Sequence, residues 1–153
     1  MDIITLPGFK LIGLKLDKKT TNENGQSAID CGNLWQKFEK SAIIQQISNK
    51  LSSEIYAVYY DYEGDHRQPY SYFIGCKVEN NATVPLGLVE LLIPSQNYFK
   101  FLAKGQMPEC ISNCWNLVWD KLLERAYAYD FEIYDERSTD WNDAEIDIMV
   151  SKR

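Results

Sequence analysis

The sequence predicts an α+β fold: two β-α-β-β units joined in one antiparallel sheet, with two main helices on one face and a ligand cleft between them. Three observations predict it. The order strand, helix, strand, strand reads twice along the chain. Short echoes recur at matching places, Leu34-Trp35-Gln36-Lys37-Phe38 against Val118-Trp119-Asp120-Lys121-Leu122 and Tyr60-Asp61 against Tyr134-Asp135. One such unit cannot cover its own sheet, so two are needed to bury the apolar face.

Each element has its own signal. In the first half, Phe9–Leu16 is β-like and precedes a helical stretch in which Ile29, Leu34, Trp35, Phe38 and Ala42 fall near a 3.6-residue period. The insertion Ile43–Ser53 is expected to add a short helical turn. A strand over Ile55–Tyr62, a turn-rich stretch Glu63–Pro69 and a strand over Tyr70–Glu79 complete the unit. Leu86–Ile93 links the halves and reads as a further strand. In the second half, Asn97–Lys104 is a strand ending at Gly105, and Pro108 suits the first position of a helix. Ile111, Trp115, Val118, Trp119 and Leu122 form that helix's apolar stripe. Strands over Tyr129–Asp135 and Asp143–Ser151 follow, separated by the polar turn Glu136–Asn142. No Gly/Pro/Ser-rich linker interrupts the pattern, so residues 1–153 read as one domain with pseudo-repeat halves of about 8–80 and 86–152.

Composition narrows the function. The 153 residues carry 22 acidic and 16 basic side chains, a formal net charge of −6. The basic residues come singly or in pairs such as Lys18-Lys19, which argues against direct nucleic-acid binding. The pattern also leaves no stretch for a helix-turn-helix. No apolar run approaches the roughly 18 residues of a membrane span, and the N-terminus does not read as a signal peptide. Four cysteines without a CxxC pair fit a cytoplasmic protein with free thiols. Ten tyrosines and four tryptophans suit both a core and a ligand pocket.

The chemistry-bearing candidate is Asp130-Phe131-Glu132-Ile133-Tyr134. Strand alternation sets Phe131 and Ile133 on one face and Asp130, Glu132 and Tyr134 on the other. The pattern leaves two readings of Glu132, a solvated strand face or a carboxylate on the cleft floor whose pKa burial would raise. Tyr59 or Tyr60, together with Tyr72, Tyr98, Trp115, Trp119, Trp35 and Tyr134, are available as aromatic walls for a cation, although ordinary core packing is the default reading for any single one. Other chemistry is thinly supported. Asp61-Tyr62-Glu63-Gly64-Asp65 lacks calcium-loop spacing and reads as a solvated turn, with His66, the single histidine, exposed beside it. Cys110 and Cys114 share a helix face but lack two further zinc ligands, so no metal and no cofactor are expected. No triad or phosphate loop is present.

Several segments together resemble the GyrI-like, or AraC-type effector-binding, family. They are Tyr56–Asp65, Tyr72–Val78, Pro85-Leu86-Gly87-Leu88, Ile93-Pro94, Tyr98-Phe99-Lys100-Phe101, Gly105, Trp115–Trp119, Arg125-Ala126-Tyr127 and Asp130–Tyr134. The resemblance is nearest to the integron-associated subgroup and spans about residues 8–152. It implies a pocket between the halves and a role for Glu132 in recognising lipophilic cations. Relatives in that superfamily include sensor domains of multidrug-responsive transcription regulators, a gyrase inhibitor and hydrolases of strained electrophiles. The expectation for this chain is a stand-alone binding protein for amphipathic, cationic small molecules, with Glu132, Tyr134, Tyr60, Tyr72, Tyr98, Trp115, Trp119 and Trp35 at the site. A hydrolase using Glu132 and a protein partner, from the transcription machinery or gyrase, are the alternatives.

Overall fold

The computed structural model describes residues 1–153. Its strands are β1 (Asp2–Leu6), β2 (Phe9–Lys15), β3 (Ile55–Tyr60), β4 (Ser71–Val78), β5 (Val89–Ile93), β6 (Gln96–Gly105), β7 (Asp130–Tyr134) and β8 (Ala144–Ser151). The helices are α1 (Gln26–Lys40), the single turn α2 (Ile43–Gln46) and α3 (Glu109–Asp120). All eight strands pair in one sheet, in the order β1-β6-β8-β7-β3-β4-β2-β5. Every pairing is antiparallel.

The duplication is visible in that order. The units β2-α1-β3-β4 and β6-α3-β7-β8 have the same internal arrangement and meet where β3 pairs with β7. Each unit also has a strand before it, and these two are exchanged: β1 pairs with β6 of the second unit and β5 with β2 of the first. The short strand β1, with only five residues, has no counterpart in the sequence expectation. Its ladder to β6 ends at Leu6↔Gln96, and the β2–β5 ladder begins at Phe9↔Ile93. The links Pro7-Gly8 and Pro94-Ser95 therefore run side by side and bring the two sheet edges together at one end. At that crossing a Cβ on Gly8 would lie 3.0 Å from the Ile93 carbonyl oxygen, so a bare backbone suits the approach.

Both main helices lie on one face. Leu34 and Phe38 of α1 pack with Ile12, Ala57, Tyr72 and Ile74. Cys110, Cys114, Trp115 and Val118 of α3 pack with Phe99, Ala103, Ile146 and Ile148. Tyr59 and Tyr134 touch both clusters and so mark the seam between them. The opposite face carries no helix. There the sheet curls on itself, burying Leu11, Tyr56, Val58, Phe73, Tyr98, Phe131 and Met149 against one another and against Ile4 and Leu6 of β1 and Leu91 of β5.

The helical stripes differ from the periodic reading at their ends. Ile29 is 57% exposed on the outer face of α1, and Ala42 sits beyond the helix with a positive φ of 51°. Leu122 falls after the end of α3 and is fully exposed, while Cys110 and Cys114 supply the buried positions instead. Helix α3 starts one residue after Pro108. None of the four cysteines is disulfide-bonded.

Candidate functional site

The seam between the halves is floored by the β3–β7 ladder, in which Ala57 faces Glu132 and Tyr59 faces Asp130. Alternation along β7 sends Phe131 into the helix-free face and turns Glu132 and Tyr134 toward the helices. Glu132 is 1% exposed. Its Oε2 accepts hydrogen bonds from the Tyr59 hydroxyl and from the Trp115 indole N–H, both at 2.7 Å, and its Oε1 accepts one from the Tyr134 hydroxyl at 2.6 Å. Burial pushes the Glu132 pKa up, and the three donors pull against that. Tyr59 and Tyr134 are themselves held well above the ordinary phenol value by burial and by the Glu132 charge, so both remain protonated donors.

Two residues earlier on β7, Asp130 forms a second buried carboxylate centre. Arg125 Nη2 donates to its Oδ2 at 2.8 Å and the Tyr62 hydroxyl at 2.6 Å, while the Ser151 amide and hydroxyl serve Oδ1. The two centres follow one plan, in which an acid on β7 takes a hydroxyl from Tyr59 or Tyr62 across the seam. They differ in charge. Asp130 has a guanidinium beside it, with both partners of the pair buried. Glu132 has only neutral donors.

Above this floor lies a cavity of about 210 Å³, lined mainly by Cys31 and Ala28 of α1, Tyr59, Tyr62, His66, Tyr70, Ile111, Trp115 and Trp119 of α3, and Arg125. Tyr59 and Trp115, the two donors to Oε2, form its wall, and Glu132 lies directly behind them. His66 stacks on Trp119 with ring centroids 4.9 Å apart and planes 7° from parallel. This contact joins the β3–β4 connection to α3 across the cleft. Burial and the nearby Arg125 lower the His66 pKa, which favours the neutral ring. The Cys31 thiol faces the cavity but is pushed far above its ordinary value by burial and by Glu132, so it is not a ready nucleophile.

The predicted aromatic set divides in two. Trp115 and Tyr134 bond Glu132, and Trp119 lines the cavity. Tyr72 and Trp35 stand behind them: the Trp35 indole N–H donates to the Tyr72 hydroxyl at 2.9 Å, the Tyr72 ring meets Tyr59, and the Trp35 ring meets Tyr134 edge-on. Tyr60 and Tyr98 are placed on the other face of the sheet, where Tyr60 stacks on Tyr129 and Tyr98 packs edge-on against Phe131. Strand alternation takes Tyr59, and with it Ala57, to the cleft and Tyr60 away from it. Tyr60 and Tyr98, expected at the site, therefore do not reach the cleft. His66, expected in solvent, is half-buried in the cavity wall instead. Tyr62, in the stretch expected to be a solvated turn, instead donates to Asp130 and lines the cavity; Tyr59 takes the place offered to Tyr59 or Tyr60, and Tyr70 and Arg125 join without a sequence signal for the site. The left-handed turn at Asp61, φ 54°, is what breaks the alternation after β3 and lets Tyr62 reach the cleft face.

The family model for the integron-associated effector-binding protein Cass2 matches residues 2–151. The chain belongs to that family. Among its relatives is a putative transcriptional regulator, YobU, of Bacillus subtilis strain 168, 28% identical over 121 residues that make up 77% of this chain and 74% of the relative. The integron cassette protein from the mobile metagenome of Vibrio cholerae, VCH_CASS2, is 28% identical and superposes with a TM-score of 0.70 over 97% of this chain and 94% of its own. A structure of SAV2435 bound to tetraphenylphosphonium has the same fold, with a TM-score of 0.78 at 18% identity, over 99% of this chain and 93% of the other. This member of the family is thus an effector-binding domain related to those of transcription regulators.

Proposed function

We propose that this protein binds amphipathic organic cations in the cleft between its halves and that Glu132 is the counter-charge. One observation carries the reading: of two matched buried carboxylates on β7, Asp130 has its own guanidinium and Glu132 has no cation. A buried carboxylate without a positive partner is costly, and a cationic guest relieves that cost. The tetraphenylphosphonium held by SAV2435, a protein of the same fold, is a guest of this chemical class.

Magnitudes make entry of the cation competitive with retention of the closed wall. The cavity, at about 210 Å³, is smaller than the roughly 300–1,000 Å³ usual for drug-sized ligands. A large guest therefore displaces a ring, and the Trp115 indole is one of the two rings that cover Glu132 from the cavity. Losing its bond to a charged acceptor costs about 1.5–3 kcal/mol. A unit positive charge about 4 Å from the carboxylate returns about 4 kcal/mol at an effective dielectric of about 20. Cation–π contact with the displaced and remaining rings adds to that.

The test is a titration followed by tryptophan fluorescence, using tetraphenylphosphonium and the neutral triphenylphosphine oxide. Wild type should prefer the cation. Glu132→Gln should weaken cation binding by roughly ten- to a hundredfold, the equivalent of about 1.5–3 kcal/mol, and leave the neutral compound unchanged. Equal affinity of both proteins for the cation would falsify the proposal.

A further inference from the structure

The cavity has a second polar end. Four buried side-chain nitrogen or oxygen atoms have no hydrogen-bond partner: Arg125 Nε, Arg125 Nη1, His66 Nδ1 and the Tyr98 hydroxyl. The first three belong to two residues that line the same cavity, and Tyr98 lies on the far side of the sheet. Buried polar atoms are rarely left unpaired, and the two Arg125 nitrogens can only donate, so this wall marks a place built to meet an acceptor.

Arg125 is the stronger of the two. It is 5% exposed. Its Nη2 is committed to Asp130, while its guanidinium lies 4.3 Å from the Tyr127 ring centroid and 5.9 Å from that of Trp115. The side chain is therefore fixed by Asp130 and two aromatic faces, and the donors on Nε and Nη1 remain unspent. Trp115 separates the two ends of the cavity wall: its N–H points to Glu132, and its ring carries Arg125. A guest that satisfies both ends must bear a positive charge and, beyond an aromatic body, an oxygen acceptor.

We infer that the ligand is amphoteric, with its cationic group directed to Glu132 and a carboxylate or carbonyl oxygen received by Arg125 Nε or Nη1. This deepens the cation reading and rests on it. These donors lie in the cavity wall that His66 and Trp119 also line. In that closed-off position an acceptor meets little competition from water, which strengthens a charge-assisted bond.

Three small probes separate the claims: phenyltrimethylammonium, its neutral isostere tert-butylbenzene, and the ammonium carrying a carboxylate at the 3- or 4-position of the ring. Binding is measured by fluorescence and calorimetry on wild type and on Arg125→Lys, which keeps a positive partner for Asp130 but removes the guanidinium donors. The better of the two carboxylated isomers should bind wild type roughly ten- to a hundredfold more tightly than the parent ammonium, and Arg125→Lys should abolish most of that gain. Should Arg125→Lys fail to fold, the methyl ester of the better isomer on wild type takes its place, and its affinity should fall between those of the acid and the parent. Equal or weaker binding of both carboxylated isomers overturns the inference and leaves the role of Glu132 intact. A carboxylate gain that survives Arg125→Lys removes the acceptor site from Arg125. No preference for phenyltrimethylammonium over tert-butylbenzene removes the cation reading itself, and the amphoteric ligand with it.

Discussion

The charge on Glu132 should be readable in the pH dependence of folding. The informative perturbation is Glu132→Gln, because glutamine fills the same volume and keeps an oxygen for Tyr59 and Trp115. In the unfolded chain the carboxyl titrates near its ordinary value of 4.5, and burial lifts it in the folded protein. Between those two values the native state holds a proton that the unfolded state has released, so stability falls as pH rises. The stabilising contribution of the protonated group is complete below pH 4.5 and lost as pH passes through the folded pKa. Each unit of elevation amounts to about 1.4 kcal/mol between the two plateaus, and the steepest slope is about 1.4 kcal/mol per pH unit. Urea unfolding of both proteins from about pH 4 to about pH 8, with the variant's curve subtracted, isolates this one group because every other titration is shared. Wild type should lose stability relative to the variant as pH rises above 4.5 and then level off. A saturating organic cation should shrink the step. A difference that stays flat, or that climbs with pH, would mean the three donors balance or outweigh burial. The carboxylate would then need no positive guest, and the reasoning behind the proposed function would fail.

Three further outcomes follow from the packing. Asp130→Ala leaves Arg125 charged and buried without its partner, and should cost about 3–5 kcal/mol in chemical denaturation; a loss under about 1 kcal/mol would show that the pair is not a structural unit. Tyr98→Phe removes a buried hydroxyl that has no partner and should be neutral or stabilising by up to about 1 kcal/mol, with ligand affinity unaltered; weaker ligand binding would contradict its place on the far face. Gly13 and Gly75 face each other across β2 and β4, and a Cβ on either would run into the facing backbone at Ile74 or Ile12. Gly13→Ala should therefore destabilise by about 3 kcal/mol or more, measured by the shift in denaturation midpoint.

Much of this architecture was legible because periodicity differs between helix and strand, and because the chain repeats itself. The β7 segment shows how far alternation reaches: it separates Phe131 and Ile133 from Glu132 and Tyr134 without any tertiary information. The same logic stalls at β3, where Ile55 to Tyr60 is apolar or aromatic on both faces because both faces are covered. Only the register Ala57↔Glu132 decides that Tyr59, rather than Tyr60, reaches the acid, and register is set by long-range pairing. Tyr98 misleads for a similar reason, since the start of β6 is covered on both faces. His66 and Arg125 lie in connections, where no period applies; their positions depend on the left-handed turn at Asp61 and on the Asp130 carboxylate. Strand β1 has a mostly exposed pattern, with no apolar alternation strong enough to mark it.

The traded strands β1 and β5 have a practical consequence. A break in the connection after Val78, at 80–86, would give two fragments, each carrying an edge that belongs to the other. Neither could complete its own layer, yet mixed together they would interlock, restoring the β3–β7 floor along with the two outer ladders. Reassembly of such fragments would thus regenerate the guest's chamber in the same step, and a cation that fits it should act as a clasp that slows their parting.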